Sequence, residues 1–106
     1  TLSKGKGVKQ DITKSIEYYE RSAKRGNSSA LYRLGLLHLN GQGVKQDYSK
    51  TAKYFLKSAE RGNSNSLYHA GLCYEKGRGP KQNYSKALDN FQRSAHNKKT
   101  QMHYLM

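Results

Sequence analysis

The feature that most constrains this chain is a seven-residue segment that returns three times at a constant interval. It reads GKGVKQD at residues 5–11, GQGVKQD at 41–47 and GRGPKQN at 77–83, a spacing of 36 residues without insertion. A repeat of this length marks a solenoid of small units, each of which buries its apolar face only against its neighbours. The sequence therefore predicts a stacked array that presents a binding surface rather than a catalytic pocket.

The composition predicts helices around a thin core. Hydrophobic residues make up 34% of the 106 residues, and the mean hydropathy is −1.03. The chain has one proline and no period-two alternation of apolar residues, so we expect an all-α fold without strands. No apolar run approaches the length of a membrane span. The single cysteine, Cys73, excludes an internal disulfide framework and favours a reducing compartment such as the cytoplasm.

Each repeat is predicted to contain two helices, A and B, joined by glycine turns. Helix A covers residues 28–40, with a serine at 28 or 29 as its cap and apolar residues at helical spacing. It ends at Gly41, since glycine readily adopts the left-handed conformation. Helix B follows Asp47, its predicted N-cap, and ends at Gly62. A glycine in the middle of helix A, Gly35, recurs as Gly71 and indicates that a neighbouring helix approaches there too closely for a Cβ.

Four short motifs recur in register within each unit. They are Ala30-x-Tyr-x-Leu-Gly35, Gly41-x-Gly-Val-x-Gln-Asp-Tyr48, Lys50-x-Ala-x-x-Tyr-Phe55 and Ala59-x-x-Gly62. Together they resemble the Sel-1-like repeat, a relative of the tetratricopeptide repeat, over nearly the whole chain. The resemblance implies a curved α-solenoid of antiparallel helix pairs, with helices A on the concave side and helices B on the convex side. It also implies a non-enzymatic adaptor that assembles other proteins.

The resemblance divides the chain into repeats. Residues 5–27 form the second half of a repeat, 28–63 and 64–99 form full repeats, and 100–106 begin a further repeat or form a C-terminal cap. Because a helix B without its partner leaves apolar residues uncovered, we interpret the chain as part of a longer array.

Three positions depart from the repeat pattern near the chain ends. In the first unit only the tail of a helix A, Thr1 to Lys4, precedes the turn, after which Asp11 is predicted to cap helix B. Lys98 replaces the glycine found at 26 and 62, so the last helix B is predicted to end differently, at Asn97. His103 stands where leucine is found in the other units, which predicts a distorted or capping final half-unit.

The resemblance places the partner-binding surface on the concave side, where helix A exposes residues that the core does not use. The partner is expected to be another protein or peptide, for which an acidic character would suit the formal net charge of +13. Tyrosine and arginine are common anchors of interfaces, although Tyr32 and Tyr68 could equally serve packing between repeats. The candidate contact residues are Ser29, Tyr32, Arg33, Leu36, Asn65, Tyr68, His69 and Leu72.

An alternative function is that of a basic module that binds RNA or an acidic assembly through the convex side. A solvated basic face is favoured over this alternative, because no aromatic stacking platform interleaves with the charges. The residues of this alternative surface are Lys50, Lys53, Lys57, Arg61, Lys86 and Arg93.

The sequence offers no pattern that would support catalysis, a metal or a cofactor. None of the four histidines forms an i, i+4 pair, and no Cys-x-x-Cys motif accompanies them. The Gly-x-Gly segments join two helices, so they lack the strand that phosphate-binding loops require. We therefore expect no enzyme activity, no bound metal and no cofactor.

Overall fold

The computed structural model describes the backbone of residues 2–105 and the side chains of residues 11–98. Within this part of the chain the structure contains five α-helices and no strand, which confirms the predicted all-α class. Helices α1 to α5 cover Leu2–Lys24, Ser28–Asn40, Tyr48–Glu60, Ser64–Lys76 and Tyr84–Leu105.

Each helix packs mainly against the helices that precede and follow it in the chain. The pairs are α1 with α2, α2 with α3, α3 with α4, and α4 with α5. Helices α2 and α4 are the A helices of successive repeats, and α3 and α5 are the B helices. This nearest-neighbour packing is the solenoid that the 36-residue period predicts.

The turn between helix A and helix B is closed by glycine and by a glutamine side chain. Gly41 has φ +67°, and its N–H donates to the carbonyl of Leu37. The Gln46 side chain donates from Nε2 to the carbonyl of Leu39 at 2.9 Å, so it satisfies a free carbonyl of the last helical turn. Asp47 then caps α3, as predicted, by accepting from the N–H of Lys50 at 3.1 Å.

The start of helix A differs from the prediction. Asn27 and Asn63 are the N-caps of α2 and α4, whereas Ser28 is already the first helical residue of α2. Asn27 has extended backbone angles, and its Oδ1 accepts from the N–H of Ala30 at 3.0 Å. Asn63 does the same with Ser66 at 2.9 Å. Because asparagine caps as well as serine, the choice depends on which residue leaves the helical conformation, and that is the residue after the left-handed glycine.

An aromatic ring packs directly against the backbone of each mid-helix glycine, which confirms the predicted close approach of a neighbouring helix. A Cβ added at Gly35 would lie 2.5 Å from Cε1 of Phe55, and one at Gly71 would lie 2.6 Å from Cε1 of Phe91. Real Cβ atoms do not come this close to a neighbour. The approaching group is thus the phenylalanine of the following helix B.

Helix α1 is unbroken where the sequence predicts a turn. Its bounds, Leu2–Lys24, include residues 5–11, so Asp11 lies inside a helix and is not an N-cap. In the second repeat, the corresponding turn is held by carbonyls of the preceding helix A, which bond Gly41 and Asp47. Within α1 the same turn sequence continues the helix and forms no such turn.

Helix α5 also continues past its predicted end. It runs to Leu105, so it does not end at Asn97 and residues 100–105 do not begin a separate helix. At the equivalent positions, Gly26 and Gly62 stop the helix with φ of +86° and +84°, a conformation that Lys98 does not readily adopt. The alternative of a C-terminal cap stays a prediction, and the side chain of His103 lies outside those described.

Candidate functional site

A row of aromatic rings crosses the structure from α2 to α5. Tyr32 lies 5.8 Å from Phe55 and 5.7 Å from His69, measured between ring centroids. His69 stacks on Phe55 at 4.8 Å and meets Tyr68 at 5.6 Å, and Tyr68 meets Phe91 at 5.5 Å. Phe55 is only 1% exposed, whereas Tyr68 is 48% exposed and the other two α2 and α4 rings are half-buried. Tyr32 and Tyr68 therefore pack between repeats and still present part of each ring to solvent.

The His69 imidazole is held in its neutral form by this environment. Burial lowers the pKa of His69 from its ordinary value of 6.5, because desolvation penalises the charged ring. Its described ring neighbours are Tyr32, Phe55 and Tyr68, which supply no compensating carboxylate. At neutral pH His69 thus behaves as a flat, uncharged side chain within the ring row.

A pocket of about 160 Å³ opens between α2, α3 and α4 beside the ring row. Its lining includes Leu39 of α2, Tyr48 and Phe55 of α3, and residues of α4. Burial raises the pKa of the Cys73 thiol in the α4 wall, while the nearby charge of Arg78 acts in the opposite direction. The Arg78 guanidinium lies over the Tyr48 ring, 4.8 Å from its centroid. The full lining is Leu39, Tyr48, Thr51, Phe55, His69, Leu72, Cys73, Lys76 and Arg78.

A second pocket, of about 430 Å³, lies one repeat earlier between α1 and α2. Eight of its nine lining positions match those of the first pocket after a shift of 36 residues, so the pocket belongs to the repeat and not to one irregularity. It is wider, and it contains the carboxylate of Asp11. The matching pairs are Ile12/Tyr48, Ser15/Thr51, Tyr19/Phe55, Arg33/His69, Leu36/Leu72, Leu37/Cys73, Asn40/Lys76 and Gln42/Arg78.

The structure brings together some of the predicted contact residues and separates others. The residues that lie on the ring row or line the two pockets are Tyr32, Arg33, Leu36, Tyr68, His69 and Leu72. Ser29 and Asn65 are exposed but line a different, polar recess at the starts of α2 and α4. The surface role of all eight residues stays a prediction.

Sequence reasoning missed the residues at the mouth of the smaller pocket, above all Tyr48, Lys76 and Arg78. A usable signal was present, since this position varies among the three otherwise similar turns, which carry Lys6, Gln42 and Arg78 there. Tyr48 is 42% exposed, and the Arg78 guanidinium lies over its ring.

The residues of the predicted basic surface divide between a groove and the open surface. Lys53, Lys57 and Arg61 line a groove of about 660 Å³ beside α1, where the carboxylates of Glu20 and Glu60 interleave with them. Burial, assisted by the charge of Glu20, raises the pKa of Tyr54 in the same groove. The remaining residues of the predicted basic surface are exposed and lie outside this groove: Lys50, Lys86 and Arg93.

Among the described residues, no group of three or more His, Cys, Asp or Glu side chains is arranged to hold a metal ion. In the same part of the chain no helix combines the length and the apolar character needed to cross a membrane.

The chain matches the Sel1 repeat over residues 2–27, 28–63 and 64–98. Among solved structures, a Sel1 repeat protein from Oxalobacter formigenes is 34% identical, with a TM-score of 0.78 over 90% of this chain and 39% of that protein. The protective antigen c5321 of uropathogenic Escherichia coli, which displays an SLR fold, is 31% identical, with a TM-score of 0.72 over 76% of this chain and 17% of that one. No significant match was found among curated proteins.

Helicobacter pylori cysteine rich protein B shares the fold, with a TM-score of 0.74 at 22% identity over 77% of this chain and 62% of its own length. The present chain thus spans less than two thirds of the length of each of these three proteins. Sel1 repeats generally act as non-catalytic scaffolds for protein interactions. Since the match covers three successive repeats and the helices stack as the period predicts, this chain belongs to the Sel1 repeat family.

Proposed function

We propose that this chain is a non-enzymatic scaffold that binds a peptide segment of a partner protein on its concave helix-A surface. The helix-A surface is here the exposed part of α2 and α4 with the ring row between them. The observation that carries the proposal is the half-exposed row formed by Tyr32, His69 and Tyr68. Rings that are already fixed by packing lose little side-chain entropy when a partner covers them, which makes them effective anchors.

Packing between repeats is the competing explanation for these rings, and the two roles predict different mutants. If the rings only hold the repeats together, alanine at Tyr68 should lower stability and affect binding only through unfolding. If they also bind, affinity should fall in variants that remain folded. Tyr68 is the better residue for this comparison because it is 48% exposed, so less of its ring is committed to the core.

The test is a selection of random twelve-residue peptides displayed on phage against the immobilised chain, followed by titration of the selected peptides. We expect Tyr68→Ala and Arg33→Ala to weaken binding at least tenfold, as truncation of interface anchors commonly does. The control replaces Lys53, Lys57 and Arg93 by glutamine, which should leave the affinity unchanged. Peptides that bind the alanine variants as tightly as the wild type would place the binding surface elsewhere.

The alternative function, a basic module for RNA, has one observation in its favour, the groove that Lys53, Lys57 and Arg61 line beside α1. The carboxylates of Glu20 and Glu60 in the same groove oppose a polyanion. A salt titration with mixed RNA separates the two functions. Tight binding that weakens steeply with salt, and that is lost only in the glutamine variant, would favour the RNA-binding module.

A further inference from the structure

The pocket between α2, α3 and α4 has the volume of one aromatic ring. Its volume of about 160 Å³ is close to the roughly 150 Å³ of an engineered apolar cavity that binds benzene. Leu39, Phe55 and Leu72 supply apolar contacts, and His69 already shows that a flat ring stacks on Phe55 at 4.8 Å. A phenyl group that enters the pocket can therefore pack against rings in the offset or edge arrangements that aromatic side chains prefer.

The mouth of the pocket is positively charged. Lys76 and Arg78 line it and are both exposed, and the lining contains no carboxylate. Neither cation forms an ion pair with a carboxylate within residues 11–98. The Arg78 guanidinium lies over the Tyr48 ring, and a guanidinium has N–H groups in its plane that can donate to an oxyanion.

We propose that this pocket recognises an aromatic side chain next to a carboxylate in the partner segment, such as phenylalanine followed by aspartate or glutamate. The ring fills the pocket against Phe55, and the carboxylate lies at the mouth between Lys76 and Arg78. This inference rests on the proposed function, since it names the chemistry of the segment that the helix-A surface binds.

The equivalent pocket one repeat earlier is the natural contrast within the same molecule. There Asn40 and Gln42 replace the two cations, Arg33 takes the place of His69, and Asp11 contributes a carboxylate that offsets the Arg33 charge. Its volume of about 430 Å³ is also too large for one ring to fill. An acidic aromatic ligand should thus distinguish two pockets that share their backbone architecture.

The experiment titrates three small molecules into the ¹⁵N-labelled chain and follows backbone amide shifts by NMR. The molecules are phenylacetate, its neutral isostere phenylacetamide, and acetate, which lacks the ring. We expect phenylacetate to shift the amides of Leu39, Phe55 and Leu72 and to bind at least threefold more tightly than phenylacetamide. Acetate should produce no saturable shift at these amides. The amides of Asn40 and Gln42, in the other pocket, should show no preference for the acid.

Two variants test whether the tighter binding of phenylacetate than of phenylacetamide depends on the cations at the mouth of the pocket. Arg78→Gln should bring phenylacetate to within about twofold of phenylacetamide while ring binding persists. The matched control is Lys81→Gln, which removes one charge from the same turn without lining the pocket. Should Arg78→Gln be unstable, the difference between phenylacetate and phenylacetamide on the wild-type chain still decides the question.

The outcomes separate the pocket from the proposed function. Equal binding of phenylacetate and phenylacetamide, or shifts confined to other amides, overturns the pocket inference and leaves peptide binding standing. Selected peptides enriched in an aromatic–acidic pair, and weakened at least tenfold by Arg78→Gln, support both. Selective phenylacetate binding without any peptide that binds the helix-A surface supports the pocket chemistry and overturns the proposed function.

Discussion

Gly35 and Gly71 occupy equivalent positions in helix A, yet alanine should have opposite effects at the two sites. A Cβ at Gly35 would lie 2.5 Å from Cε1 and 2.6 Å from Cδ1 of Phe55, and one at Gly71 would lie 2.6 Å and 2.8 Å from the same atoms of Phe91. The clash is therefore similar. The difference lies in the rings, because Phe55 is 1% exposed whereas Phe91 is half-buried on a helix whose outer face is open.

The magnitudes follow from two opposing terms. Glycine to alanine inside a helix gains about 1 kcal/mol in helix propensity. Overpacking a well-filled core costs about 1–3 kcal/mol. Since Phe55 is almost fully buried and packs on Tyr32 and His69, a shift of its ring disturbs both neighbours, and Gly35→Ala should lower the free energy of unfolding by about 1–2 kcal/mol. Phe91 can rotate outward, so Gly71→Ala should be neutral or stabilise the chain by up to about 1 kcal/mol.

The assay is urea unfolding followed by circular dichroism, with thermal melts in parallel. We expect the Tm of Gly35→Ala to fall by roughly 5–10 °C and that of Gly71→Ala to stay level or rise. A double-mutant cycle with Phe55→Leu tests the cause, since the smaller side chain should remove about 1 kcal/mol of the cost of Gly35→Ala. The reasoning fails if Gly35→Ala is as stable as the wild type, or if the cycle shows no coupling.

Three further outcomes can be checked on the same chain. Ser58→Ala should cost about 1–3 kcal/mol in urea unfolding, because the Ser58 hydroxyl donates to the Ser28 carbonyl at 2.7 Å and accepts from the Ser66 hydroxyl, which is fully buried and would lose this acceptor. The control is exposed Ser85→Ala, and equal stability of the two variants would contradict the role of Ser58. Gln46→Ala should lower the Tm by a few degrees, because the hydrogen bond from the Gln46 side-chain amide to the Leu39 carbonyl holds the A–B turn. The control, Gln92→Ala at an exposed position of α5, should not lower the Tm. Burial lowers the pKa of His69 from its ordinary value of 6.5, so the unfolded chain binds more protons than the folded chain as the pH falls. Stability should therefore be lost as the pH falls below about 6.5. His69→Gln should make the Tm depend less on pH between pH 7.5 and 5.5, and an unchanged dependence of Tm on pH would refute this.

The parts of the fold that the sequence predicts well are those that depend on nearby residues. Asp47 caps the next turn and Gly41 ends the preceding one, so a short window of sequence contains all the necessary chemistry. The same window fails at residues 5–11, which have the turn sequence but lie within the continuous helix α1. In the second repeat the turn is held by hydrogen bonds to carbonyls of α2, so the local motif alone does not specify the turn.

The pocket between α2, α3 and α4 could not be predicted from a local window of sequence, because its lining residues come from three helices. Leu39, Phe55 and Leu72 are separated by 16 and 17 residues, and only the stacking of α2 and α4 on α3 places them around one cavity. The repeat nevertheless provides a route to it. Once one pocket is known, a shift of 36 residues finds the other. Among the positions that differ between the two copies, two replace a neutral residue by an exposed cation, Lys76 for Asn40 and Arg78 for Gln42. In a repeat protein the shared positions therefore report the fold, and the unshared positions that face a common groove are the first place to look for specificity.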